Sequence, residues 1–200
     1  KLYPVRQPFP HSSYVTITGL NDSLFIVAND SSLQIFNYRF ELFSWVKENI
    51  ASLVDYKIFK DSHKRIWVGA YKGLKQIRWP QNKGEPLSFL PLPPAFDIPE
   101  LTQNVITAIF EDNKQILWIG TSKGLVKINP DGSHQLLTKQ DGLADDHITN
   151  IFQDREMNIW FGTAGGVSKL VTTSGISIYT NQSGIASRQL SFVSRYKKDN

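Results

Sequence analysis

Short apolar runs separated by turn residues recur along this chain in a fixed frame. Asp61 to Ile77 reads Asp-Ser-His-Lys-Arg-Ile-Trp-Val-Gly-Ala-Tyr-Lys-Gly-Leu-Lys-Gln-Ile, and the frame returns at 112–128 and 154–170. In each copy Asp61, Asp112 or Asp154 stands six residues before Trp67, Trp118 or Trp160. Gly69, Gly120 or Gly162 follows two after the Trp, a second Gly (73, 124, 166) six after, and Leu or Val seven after. An earlier, degenerate copy places Phe25 at the Trp position. The spacings are then 42 (Phe25 to Trp67), 51 (Trp67 to Trp118) and 42 (Trp118 to Trp160), a single unit length with one insertion. Self-similarity at such a period marks repeat architectures in which no unit buries its apolar face alone.

Within one unit, Ile148 to Phe152, Ile159 to Phe161, Val167 to Leu170 and Ile176 to Tyr179 are four β-rich runs bounded by turn residues. Four strands per repeat is the propeller blade. The expected fold is an all-β propeller, a single fragment over residues 1–200. Its blades cover approximately 14–50, 54–101, 105–140 and 148–182, and the first strand of a fifth covers 190–196. Closed propellers have about four to eight complete blades, so the count predicts an open arc of a larger ring. A rival reading of Leu42, Val46, Ile50 and Val54 as a helix yields to the repeat frame, which sets a fourth strand at Phe43 to Trp45.

The shared residues have structural expectations. The recurrent Asp caps a turn through backbone N–H groups, and the second Gly supplies a positive φ. The Trp alternates with its apolar neighbours and fills the space between blades, so all three should be buried, while the Gly two residues later admits the neighbouring blade.

Composition adds limits. Forty per cent hydrophobic and 20% charged residues suit a folded domain, and the net charge of +4 is spread too thinly for a nucleic-acid surface. With no cysteine, thiol catalysis and thiolate metal sites drop out. No stretch reaches the roughly 18 apolar residues of a membrane helix, so no span is expected in this chain. His11, His63, His134 and His147 lack a second ligand at metal spacing, and no nucleophilic triad or phosphate loop is present. The chain is therefore read as a non-enzyme without metal or cofactor.

Function on a repeat scaffold should sit where the copies differ. With strands of alternating direction, the second hairpins share a face with the inter-blade linkers. The candidate ligand-binding residues on that face are Tyr71, Lys72, Lys123, Asp145, Asp146, His147 and Arg188, a mixture suited to a sugar or an anionic ligand. Two further departures are an insertion between Trp79 and Leu101 carrying six of the ten prolines, and the unshared Trp45 and Trp79. The insertion reads as a stiff loop, and core packing is the expectation for both tryptophans.

Gln153 to Val167 resembles the two-component regulator propeller repeat, approximately Asp-x-x-Gly-Asn-Ile-Trp-Ile-Gly-Thr-x-x-Gly-Leu. The 115–125 copy is as close, the 65–74 copy has Ala70 in place of Thr, and the Phe25 copy is poor. The resemblance implies the periplasmic or extracytoplasmic sensor region of a hybrid histidine kinase-type receptor. It also implies an oligosaccharide ligand in some members, signal relay by changes in packing, and the remainder of the receptor propeller as a partner. An exposed terminal blade further suggests a homo-oligomer or edge-to-edge self-association. The alternative is a protein–protein interaction scaffold without a small ligand.

Overall fold

The structure, a computed structural model, describes residues 15–29, 32–46, 56–171 and 175–179. They form four four-stranded antiparallel sheets, each ordered as its strands follow in sequence, which are propeller blades. The chain divides into two compact units, Lys1–Pro91 and Leu92–Asn200. The first unit holds a blade of β1 (Val15–Gly19), β2 (Leu24–Asn29), β3 (Leu33–Asn37) and β4 (Leu42–Trp45). Its second blade is β5 (Lys57–Lys60), β6 (Ile66–Ala70), β7 (Gly73–Arg78) and β8 (Ser88–Leu90). The second unit holds β9 (Ile106–Glu111), β10 (Leu117–Thr121), β11 (Gly124–Ile128) and β12 (His134–Leu137). Its second described blade is β13 (Ile148–Gln153), β14 (Ile159–Thr163), β15 (Gly166–Val171) and β16 (Gly175–Tyr179).

Two turn types repeat because the sequence repeats. The β5–β6, β9–β10 and β13–β14 turns place Lys64, Gln115 and Met157 at φ 64°, 61° and 65°, left-handed positions three residues after the recurrent Asp. The next turns use Gly73, Gly124 and Gly166 at φ 88°, 140° and 145°, where a Cβ is strained.

The first blade corrects the sequence frame. Gly19 pairs with Phe25 as Lys60 pairs with Ile66. The Leu20 N–H donates to the Leu24 carbonyl as the Asp61 N–H does to Arg65. Ile26, not Phe25, therefore occupies the Trp67 position, and Ala28 the Gly69 position. The run from Leu24 to Ala28 is apolar on both faces, so alternation alone does not reveal which side is which. Leu33, seven residues after Ile26, is the marker that does.

With that register, both units pack alike. In the first, Ile26, Ala28, Leu33 and Ile35 share a core with Ile58, Ile66, Val68 and Ala70 of the second blade. In the second, Trp118, Ala108 and Leu125 share one with Ile148, Ile151, Ile159 and Phe161. The Trp-type face of one blade thus meets the opposite face of the next. The Trp118 and Phe161 ring centres stand 5.5 Å apart. A Cβ on Gly120 would fall 2.6 Å from Cγ2 of Ile148, so this glycine is the gap that lets the two blades close.

Trp67 and Trp118 are buried, but Trp160 is only half-buried. Its position differs from that of Trp118 in having no Phe161 counterpart from a following blade among the described residues. Trp45 also departs from the core expectation. A register shift between Ile35 and Phe36 turns Trp45 to the Phe25 side of its blade, where it is exposed. Trp79 packs, partly buried, on the first unit's core. The insertion is more than a loop: it supplies β8 and a one-turn helix, α1 (Pro99–Thr102), with Pro99 leading the helix and Leu101 buried beneath it. Ile50, Val54 and the proposed strand at 190–196 lie outside the described residues.

Candidate functional site

Each recurrent Asp makes a clamp. Asp112 Oδ1 accepts the backbone N–H groups of Lys114 (2.8 Å) and Ile116 (3.0 Å), and Oδ2 accepts the Trp118 indole N–H at 2.9 Å. Asp61 takes the Arg65 N–H (2.8 Å) and the Trp67 indole (2.9 Å), with the Arg65 guanidinium 2.6 Å away. Asp154 takes the Asn158 N–H (2.8 Å) and the Trp160 indole (2.6 Å). The carboxylate thus closes its own turn with one oxygen and fixes the inter-blade Trp with the other. Burial favours the neutral form of Asp154, but hydrogen bonds from Trp160 and Asn158 and the nearby Lys169 charge outweigh it and hold its pKa below the ordinary 3.8. Lys127 and Lys169 lie over the rings of Trp118 and Trp160, 5.7 and 4.8 Å from the centroids. The shared polar residues are therefore committed to structure.

The second hairpins lie against the linkers of their own blades. The Ala164 N–H donates to the His147 carbonyl (3.0 Å) and the Ser122 N–H to that of Val105 (3.1 Å). A Cβ on Gly165 would come within 2.7 Å of the Ala144 carbonyl. Thr121 and Thr163 Oγ1 each donate to the carbonyl of the second Gly, at 2.8 Å, a bond that Ala70 cannot make.

The acidic linker is largely self-satisfied. Asp141 Oδ2 accepts the Thr138 N–H and hydroxyl, both at 2.9 Å. Asp145 accepts the His147 N–H (2.9 Å) and lies 3.9 Å from Lys139 Nζ, while Asp146 accepts the Lys139 N–H at 2.7 Å. Asp145 and Asp146 are half-buried and His147 is exposed. Their acceptors shape the loop, and among the described residues no three His, Asp or Glu side chains are grouped to hold a metal ion.

Lys123 lies elsewhere on the second unit, in a cleft of about 340 Å³ lined by Pro99, Glu100, Gln103, Asn104, Thr121 and Leu136 as well. The insertion provides one wall through α1 and the residues after it, and the β10–β11 hairpin provides the other. Asn104 Nδ2 is tied to the Glu100 carbonyl (3.1 Å), which holds this wall in shape. The cleft offers a carboxylate, two amides, an ammonium and the half-exposed Leu136, a set that can bond hydroxyl groups and pack against an apolar ring face. Of the candidate residues only Lys123 lines it. Tyr71 and Lys72 are exposed at the tip of the β6–β7 hairpin of the first unit, and Arg188 lies outside the described residues. Sequence reading missed Glu100, Gln103 and Asn104; the signal was the change from proline-rich spacing to Pro99-Glu100, a helix start.

Comparison with known proteins bears on what this scaffold is. The model of the two-component regulator propeller matches residues 100–123 and 142–165. No curated protein matches the chain. Among solved structures, it is similar to the extracellular domain of a putative hybrid two-component system from B. thetaiotaomicron (TM-score 0.70, 18% identity), covering 88% of this chain and 24% of that one. It is similar to PorZ, a surface component of the type-IX secretion system of Porphyromonas gingivalis (TM-score 0.65, 15% identity), covering 90% and 29%. It also resembles virginiamycin B lyase from Staphylococcus aureus (TM-score 0.58, 14% identity), covering 87% and 57%. The chain spans about a quarter of the length of the two-component structure, and at these identities the likeness is one of fold. The clamps, blades and family match agree: this is a β-propeller chain whose residues 100–123 and 142–165 match the two-component regulator propeller repeat.

Proposed function

We propose that this chain is a ligand-sensing module of a transmembrane signalling receptor of the two-component type, and that it works outside the cytoplasm as part of a larger receptor propeller. It binds an oligosaccharide or similar hydroxylated ligand and relays binding through the packing of its blades. The observation that carries this reading is the division of labour among polar residues. The Asp and Trp shared by the three repeats are spent on the clamps, whereas Glu100, Gln103 and Asn104, which have no repeat counterpart, surround one cleft together with Lys123. A sugar ring presents hydroxyls that both donate and accept, and C–H faces that pack on Leu136. The family match and the extracellular two-component neighbours support the receptor setting.

Thermal unfolding against a panel of neutral and anionic oligosaccharides tests it. A concentration-dependent rise in midpoint for one sugar class marks a ligand of the folded state. No shift with any of them would favour the scaffold reading, for which the exposed Tyr38, Phe40 and Trp45 of the first blade speak.

A further inference from the structure

Two opposite charges line the Lys123 cleft without using each other. Among the described residues, no hydrogen bond or ion pair reaches the Glu100 carboxylate or the Lys123 ammonium. Other charges of this unit are employed. Lys127 and Lys169 lie over indole rings, Lys139 stands 3.9 Å from Asp145, and Asp131 accepts the Ser133 N–H and hydroxyl at 2.8 and 2.6 Å. The bonds that hold each wall leave its charged tip free. Thr121 Oγ1 accepts the Lys123 N–H (3.0 Å) while donating to the Gly124 carbonyl, so the hairpin is fixed through its backbone. Opposite, the Thr102 N–H and hydroxyl both donate to the Ile98 carbonyl at 3.0 Å. Asn104 Nδ2 is spent on the Glu100 carbonyl, which leaves its Oδ1 to accept, and the exposed Gln103 amide has no partner among the described residues.

The lining therefore offers one free negative charge, one free positive charge and neutral amides. In a cleft of about 340 Å³, a charged group brought to Lys123 lies within a Debye length of Glu100, and the reverse holds for a cation. A uronate or sulfate gains from the ammonium but is repelled by the carboxylate, and it still gives up its own hydration. A hydroxyl meets no such conflict, because it donates to the carboxylate and accepts from the ammonium, each a charge-assisted bond. We infer that the cleft selects uncharged saccharides, with neighbouring hydroxyls of a neutral glycan bridging Glu100 and Lys123, and discriminates against uronate- or sulfate-bearing ones. The inference rests on the reading of this cleft as the ligand site and narrows that reading to one class.

The test is calorimetric titration of the 200-residue chain with neutral oligosaccharides and with their uronate-containing and sulfated counterparts, each at low and at physiological ionic strength. Neutral binding that changes less than about twofold with salt, with the anionic counterparts at least about tenfold weaker, is the expected result. Glu100→Gln should narrow that gap, the neutral sugar losing a charged acceptor while the anionic one meets Lys123 alone. Lys123→Gln should weaken both and widen it. A residue that only shaped the cleft would weaken the two classes alike, and unfolding midpoints show that each variant is folded. Tighter, salt-sensitive binding of an anionic glycan, or a gap that Glu100→Gln leaves unaltered, overturns the inference while the sugar-sensing reading stands. No binding by any of the saccharides overturns that reading and this inference with it.

Discussion

Trp118 donates its indole N–H to Oδ2 of Asp112 at 2.9 Å, six residues back along the chain. One short bond therefore couples the conformation of a hairpin turn to the side chain that fills the space between blades. The same pair occurs as Asp61–Trp67 and Asp154–Trp160, so three of the four described blades fix part of their interface within their own hairpin.

Replacing Asp112 by Ala removes the acceptor of a buried indole and of two backbone donors. A loss of about 2–3 kcal/mol in urea unfolding is expected. Trp118→Phe deletes the donor, and the double variant should lose less than the sum of the two by about 1 kcal/mol. Additive losses would show that the bond itself carries little.

Gly120→Ala brings a methyl into contact with Ile148 and should destabilise by about 1–3 kcal/mol. Ile148→Ala, costly by itself, should absorb part of that penalty when combined with it. A harmless Gly120→Ala would mean that the two blades are less tightly apposed than 2.6 Å implies.

The repeat resemblance has Gly at the third position after the Asp, but this chain has Lys64, Gln115 and Met157 there, all left-handed. Gln115→Gly and Met157→Gly should each stabilise by up to about 1 kcal/mol, relief of left-handed strain outweighing the greater freedom of glycine in the unfolded chain. Equal or lower unfolding midpoints would show the strain is already compensated locally.

For acid sensitivity, the folded pKa of Asp154 is lower than its ordinary 3.8. Its contribution to stability is therefore complete above that ordinary value and is lost as pH falls through the folded one. Asp154→Asn should flatten the acid limb of a stability-against-pH curve in that window while leaving the neutral region level, though lower. An unchanged acid limb would assign the dependence to other carboxylates.

Much of the fold was legible because its determinants are local. Asp, Trp and two Gly at fixed offsets specify a hairpin and its neighbour within 13 residues, and Gly166 at φ 145° is where the repeat required it. Ile26 was obscured because Phe25 beside it is larger and both faces of its strand are apolar; the deciding Leu33 lies across a turn. The indole acceptor role of the Asp was missed because turn chemistry explains only one of its oxygens. The cleft was least legible. Its walls are an insertion without a repeat template and a hairpin that follows after the whole of β9, and their approach is a matter of packing. Lys123 was reachable as a hairpin tip that varies among the copies, whereas Glu100 and Gln103 depend on a helix of one turn.

The central claim is that the unshared residues around Lys123 bind a hydroxylated ligand. Calorimetric titration of the oligosaccharide class that raises the unfolding midpoint, into the unaltered chain and into Lys123→Ala and Glu100→Gln, tests it most directly. Binding that weakens about tenfold or more in both variants, with unfolding midpoints of the ligand-free chains unchanged, is the predicted result. Undiminished binding in both would place the ligand elsewhere and contradict the account.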